Sequence, residues 1–398
     1  MITSTTNPRP RILFLDALRG FALLGIAAAN YPEFSLFDFL PDTIATASDH
    51  TTRFWQTLLV SGKFYTLFSI LFGIGFSIIM DSAMRRGVNG LRIFYRRMTV
   101  LTLIGLAHLL FLWSGDILLL YALMGMLLPL FRHLPDRQIL TSSVICLLLP
   151  IPIEAIRQLS GHSPADNLYA LWWQTANSVG ITTDNFATWL RDATSYADVF
   201  AFLRQGAVER MWEFVSTSRY FKVLGLFLFG LWIGRKQIVQ NLSAFRTQLR
   251  RVCLTCFIVS LPLNIVMALH PTDNSFYQSI IYCIAVYPMG LAYATALALI
   301  YLRLPNLNIW HFLAAPGRMA LTCYILQTIC GMIIFYGIGF ALGAELSLGM
   351  SILTSTLVFV GEAVICHVWL RRFAYGPLEW IWRMLTYGKR LPLLKRQH

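Results

Sequence analysis

Arg19 and Asn30 stand eleven residues apart in LDALRGFALLGIAAAN, residues 15–30, a stretch that is otherwise apolar but for Asp16. A helix turns about 100° and rises about 1.5 Å per residue, so both lie on one face, roughly 16 Å apart along its axis. Asp16, three residues before Arg19, can pair with it. Ionisable groups inside a membrane helix are costly, so each needs a partner or a function. The shared face carries a cation at one end and an amide at the other. Gly20, Ala22, Ala27 and Ala29 keep it small enough for a close neighbour. Two readings compete. Either Arg19 snorkels to the surface and Asn30 caps the helix, or the face follows a long narrow ligand, anionic at one end and reactive at the other.

Three more polar groups interrupt apolar runs. His108 lies in GLAHLLFLWSGDILL, and Asp116 follows it after a tight WSG turn. Lys63 lies in SGKFYTLFSILFG with Thr66 on its face. Counted along the spans below, Asn30, Lys63, His108 and Asp116 all reach the outer leaflet. A His beside a carboxylate can be a general base, and an amide can hold an oxyanion. The competing readings are a packed histidine and a Lys63–Asp116 ion pair. Glu362 and His367 sit nearer the inner side, where they could pair with each other or line a cavity.

Only helices in a bilayer can hold these residues in this chain. Of its 398 residues 57% are hydrophobic and 13% charged, about half the charged share of an ordinary soluble domain. Apolar stretches long enough to span recur throughout. About ten are expected, near 12–30, 56–82, 92–113, 116–132, 138–156, 219–238, 250–269, 277–302, 318–340 and 347–371. The net charge of +13 falls in alternate loops, with Arg9 and Arg11, Arg85 to Arg97, Arg132 and Arg137, Lys236 to Arg251, Arg303, and Arg371 to Arg396 on one side. Glu33, Asp38, Asp42, Asp49, Asp273 and Glu345 occupy the other. This is the positive-inside pattern, so both termini are expected in the cytoplasm and nucleic acid is not an expected partner. The first run lacks a cleavage site and reads as a retained span. The seven cysteines follow apolar runs and form no disulfide framework, and Cys253 and Cys256 lack a second ligand pair, so no metal is expected.

The domain organisation follows. Residues 1–156 hold spans one to five and 219–371 spans six to ten. Residues 157–218 form an extracytoplasmic amphipathic segment rich in tryptophan, either resting in the interface or covering an outward cavity. Residues 372–398 form a cytoplasmic interfacial helix and basic tail, suited to anionic lipid.

The stretches LDALRGFALLGI, GKFYTLFSILFGIG, H-x4-W-x2-DIL-x2-YALMG at 108–125, PGRMALTCYILQT at 316–328 and GPLEWIWRMLTYG resemble the YeiB-like bacterial inner-membrane proteins. That family in turn looks related to the transmembrane acyltransferase superfamily, which includes the lysosomal heparan glucosaminide acetyltransferase. The bacterial acyltransferase-three group of that superfamily carries an Arg, ten residues and a His on its first span; here the same spacing joins Arg19 to Asn30. The lysosomal enzyme has an R-G-x-A-L start, an Asn at the matching place and a reactive His in the loop beyond. Here Tyr31 to Asp49 contains no His, and His50 is too distant to align.

The resemblance implies an all-α polytopic protein with a transmembrane acyltransferase-like fold. The implied activity is transfer of an acyl group, acetyl foremost, from cytoplasmic acyl-CoA to an extracytoplasmic hydroxyl or amine, on a glycan or lipid-linked molecule. Arg19 and Arg318 are expected at the phosphates of acyl-CoA, with Lys63 a further binding cation. Asn30 is expected at the oxyanion, and His108, tuned by Asp116, is the expected base from this chain's own geometry. Membrane lipid is an expected partner and a homodimer is left open. The rival reading is a small-molecule transporter of the inner membrane. The best internal echo for it, LFSILFGIG at 67–75 against LFLFGLWIG at 226–234, is parallel, whereas many transporter repeats are inverted.

Overall fold

Apolar runs in this chain become helices because lipid offers the backbone no hydrogen-bond partners. The computed structural model describes residues 12–271 and 274–395, so Asp273, Arg9, Arg11 and Arg396, used above to orient the chain, lie outside the described residues. The first half contains α1 (Leu13–Phe34), α2 (Ala47–Leu59), α3 (Lys63–Arg85), α4 (Gly90–Phe111), the short α5 (Leu118–Gly125), α6 (Asp136–Leu148) and α7 (Pro150–Ser160). Three helices, α8 (Asp166–Ser178), α9 (Trp189–Asp192) and α10 (Tyr196–Ser216), precede α11 (Arg219–Arg235). The rest comprises α12 (Arg246–Leu269), α13 (Ser275–Ile281), α14 (Tyr287–Arg303), α15 (Asn308–Arg318), α16 (Ala320–Phe335), α17 (Leu348–Arg372) and α18 (Pro377–Tyr387).

Among the described residues, seven helical stretches are long and apolar enough to cross a membrane. Two more candidate spans are bent pairs, α10 with α11 at 66° and α15 with α16 at 80°, and Leu118–Phe131 is a shorter apolar helix. The protein is therefore a multi-pass helical membrane protein, and α12 shows its lipid-facing surface: Ile258 is 71% exposed. The helix boundaries depart from expectation at two breaks. The run at 56–82 is broken at Gly62, whose φ of +77° lets α3 start afresh after α2. The run placed at 318–340 begins ten residues earlier, at Asn308, because Pro316 and Gly317 lie inside a helix and the break falls at Met319.

Contacts at the two ends show how the helices alternate. At one end α4 and the start of α16 meet α18. Trp382 Nε1 donates to Arg97 O at 2.9 Å, and the Arg97 guanidinium lies 3.7 Å from the centroid of the Trp382 ring. At the other end the close of α1 meets the start of α17, where Ser351 and Ser35 hydroxyls bond at 2.8 Å and Leu348 N donates to Asp49 at 2.9 Å. There too Tyr196 of α10 donates to Phe111 O, at the close of α4.

Glycines set the closest approaches. A Cβ on Gly20 would lie 1.8 Å from Leu313 O, and one on Gly317 would lie 1.8 Å from Asp16 O, so α1 and α15 touch backbone to backbone. Arg19 and Arg318 each adjoin one of these glycines, and both line the same cavity. Gly73 and Ser77 on α3 face Gly230 and Gly234 on α11 in the same way, with Phe72 stacked on Phe227 at 4.3 Å. The parallel echo at 67–75 and 226–234 is therefore a small-residue packing seam between these two helices.

Candidate functional site

One large cavity, about 1300 Å³, runs through the protein. Sites for drug-sized ligands hold about 300–1,000 Å³. Its spine is one face of α1: Ile12, Asp16, Arg19, Leu23, Ile26, Asn30 and Glu33 line it at helical spacing. Ile12 to Glu33 is about 31 Å of helix, close to the hydrocarbon thickness of a bilayer. The middle is apolar and aromatic, with Phe68, Phe72, Leu101 and Tyr121 among its walls.

The two mouths differ in chemistry. Arg19, Arg85, Arg86, Arg97, Arg318 and Arg383 line the first, against the carboxylates Asp16 and Glu379. Arg19 pairs with Asp16 at 2.8 Å, as the three-residue spacing suggested. Glu379 reaches from α18 to cap α16, taking Leu321 N at 2.7 Å, Thr322 N at 3.0 Å and the Thr322 hydroxyl at 2.6 Å. Burial pushes the Glu379 carboxyl above its usual range, opposed by these hydrogen bonds. A pocket of about 580 Å³ beside this mouth adds Arg92, Arg96 and Lys389 to Arg86 and Arg383, and among the described residues no carboxylate lies on its wall. Tail residues expected only to anchor the protein thus form part of the basic mouth.

The second mouth holds Glu33, Glu154, Arg210, Glu213, Arg219 and Lys222. Arg210 donates to Ser114 O at 2.7 Å and pairs with Glu213, which also takes Arg219. Glu33 lies 3.6 Å from Arg210. Arg210 and Glu213 come from α10, so the segment at 157–218 supplies part of the cavity wall. Trp172, stacked on Trp173 and Trp212 at 5.1 and 5.4 Å, fastens α8 to α10.

Of the expected site residues, Arg19, Asn30 and Arg318 line the cavity, whereas His108, Asp116 and Lys63 do not. Asn30 is no terminal cap, since α1 continues to Phe34. His108 is buried behind the wall, with Nδ1 2.9 Å from Asp116 Oδ1 and Nε2 3.0 Å from Thr328 Oγ1. Tyr324 lies against its ring at 5.1 Å and faces the cavity in its place. The expectation that His108 and Asn30 share one cavity is corrected: both imidazole nitrogens are engaged elsewhere. Asp116 accepts Leu119 N at 2.7 Å and so caps α5. Lys63 does not meet Asp116; its buried Nζ donates to Thr57 O at 2.5 Å and satisfies the close of α2. Glu362 takes Gln327 at 2.8 Å and not His367, which is exposed.

Residues missed as site members were counted as loop charges. Glu33 and Arg97 entered only the positive-inside tally, although Glu33 is one turn beyond Asn30. That spacing could have found Glu33. Arg210 and Glu213 had no such signal, because the turn between α10 and α11 brings them in from a distant segment.

The fold and cavity define a multi-pass helical membrane protein with a long cavity along its first helix. Residues 233–389 match the family "Protein of unknown function (DUF418)". The chain is 27% identical to "Uncharacterized protein YxaH" of Bacillus subtilis over 98% of both chains. It is 25% identical to "Uncharacterized protein YeiB" of Escherichia coli, covering 97% of this chain and 99% of that one. The resemblance read from the motifs holds: the chain is similar along nearly its whole length to the YeiB-like proteins.

Proposed function

We propose that the protein is a membrane-embedded acyltransferase of the bacterial inner membrane. It takes an acyl group from cytoplasmic acyl-CoA and transfers it to an extracytoplasmic hydroxyl or amine acceptor. The observation that carries this reading is the run of cavity residues down α1, with guanidinium groups at one mouth and Asn30 near the other. A donor with a polyanionic head and a thioester at the end of a long arm matches that polarity. Arg19 and Arg318 hold phosphate oxygens, for which planar guanidinium forks are well shaped. The arm lies along Leu23 and Ile26. The Asn30 amide donates to the thioester oxygen as negative charge develops there. The basic mouth faces the cytoplasm, in keeping with the loop charges, and both termini lie on that side.

Transport is the second reading, favoured by the length of the cavity. The α15–α16 break, however, sits beside Asp16 and Gly20 near the basic mouth, whereas transporter sites at broken helices lie near the midplane. The test is CoA binding to purified protein by calorimetry. Wild type should bind, and Arg19→Lys, which keeps charge but loses the fork, should bind at least tenfold more weakly with its melting temperature unchanged. Absence of CoA binding in wild type, or equal affinity in Arg19→Lys, would contradict the assignment of this mouth.

A further inference from the structure

We infer that Glu33 is the general base of the transfer and that its mouth receives a neutral, hydroxyl-bearing acceptor; the inference rests on the acyltransferase reading. Glu33 is one turn beyond Asn30 on the same cavity-lining face. A base must lie near the group that holds the oxyanion, and Asn30 itself cannot accept a proton.

The other carboxylates of this mouth, and His108, are occupied. His108 spends both ring nitrogens on Asp116 and Thr328, behind the cavity wall. Glu213 is shared by Arg210 and Arg219. Glu154 takes Arg157 Nε at 2.7 Å and the Ser275 hydroxyl at 2.7 Å. Glu33 has a different setting. Its nearest cation, Arg210 Nη2, is 3.6 Å away, within ion-pair range but beyond a good hydrogen bond. Arg210 is itself held by Ser114 O and Glu213, so it leaves the Glu33 lone pairs uncovered.

The acceptor class follows from charge. Glu33, Glu154 and Glu213 are matched in number by Arg210, Arg219 and Lys222 at this mouth. The mouth therefore carries no net formal charge to recruit an anion or an ammonium ion, whereas a hydroxyl-rich molecule can bond to both signs. In the reaction Glu33 takes the proton of the acceptor O–H as that oxygen bonds to the thioester carbonyl carbon. The tetrahedral oxyanion collapses, the C–S bond breaks, and the leaving thiolate receives the proton from Glu33. The products are an ester and CoA thiol, and Glu33 returns to carboxylate.

The experiment uses membranes carrying the full-length protein, supplied with acetyl-CoA radiolabelled in the acetyl group. Covalently bound label and CoA binding are both measured. Glu33→Gln should lower transfer about 100-fold or more, with CoA affinity within twofold of wild type. Should Glu33→Gln not fold, Glu33→Asp is measured instead: a tenfold or greater fall with unchanged CoA affinity supports the base. Near-normal transfer in the variant, or joint loss of transfer and CoA binding in folded protein, would overturn the Glu33 assignment and leave the acyltransferase reading standing. Label found on amines and not as alkali-labile ester would overturn the acceptor class. Absence of transfer by wild type that binds CoA would defeat the acyltransferase reading itself.

Discussion

His108 holds the protein together where its sequence context suggested chemistry. Its ring bridges Asp116, ahead of α5, and Thr328 on α16, so one side chain ties α4 to two other helices. Removing a buried polar partner strands the groups it satisfied. His108→Ala should therefore cost about 3 kcal/mol or more, seen as a lower melting temperature in detergent and a smaller folded yield. A melt unchanged from wild type, with transfer abolished, would return His108 to direct chemistry. Single residues were legible in proportion to how local their meaning is. Arg19, Asp16 and Asn30 share a helix, and their spacing alone gave the face they occupy. The WSG turn after α4 does bring Asp116 onto His108, but periodicity could not say whether that pair faces the cavity or stands behind it.

At the scale of elements, the basic mouth depends on two glycines that no charge pattern reveals. Gly20 and Gly317 let α1 and α15 meet at backbone distance, and Arg19 and Arg318 flank that contact. Gly317→Ala would drive a methyl into Asp16 O and push the helices apart. The expected result is a CoA affinity reduced about tenfold or more, while the remote α3–α11 seam and overall fold persist; an unchanged affinity would separate the mouth from this crossing. The apolar runs were legible because lipid imposes them on composition. The bent pairs were less so. The 80° break before α16 is stabilised by Glu379, which lies 58 residues beyond Leu321 in the chain. Such a long-range cap has no periodic signature.

For the whole molecule, the loop charges, the cavity and the relatives describe one unit. The family region covers residues 233–389, yet the cavity's spine is α1 and its second mouth draws on α10. The site is therefore built from both halves, consistent with relatives that align over 98% of the chain. In the proposed reaction the cavity passes an acyl group across the membrane while the CoA head stays behind at the arginines. Sealed inverted membrane vesicles test it most directly, because their outer surface is the cytoplasmic one. They are given acetyl-CoA with one radiolabel in the acetyl group and another in the adenosine. Acetyl label should accumulate inside as covalent product, with adenosine label remaining outside. Both labels arriving inside together as intact acetyl-CoA, or neither arriving, would contradict it.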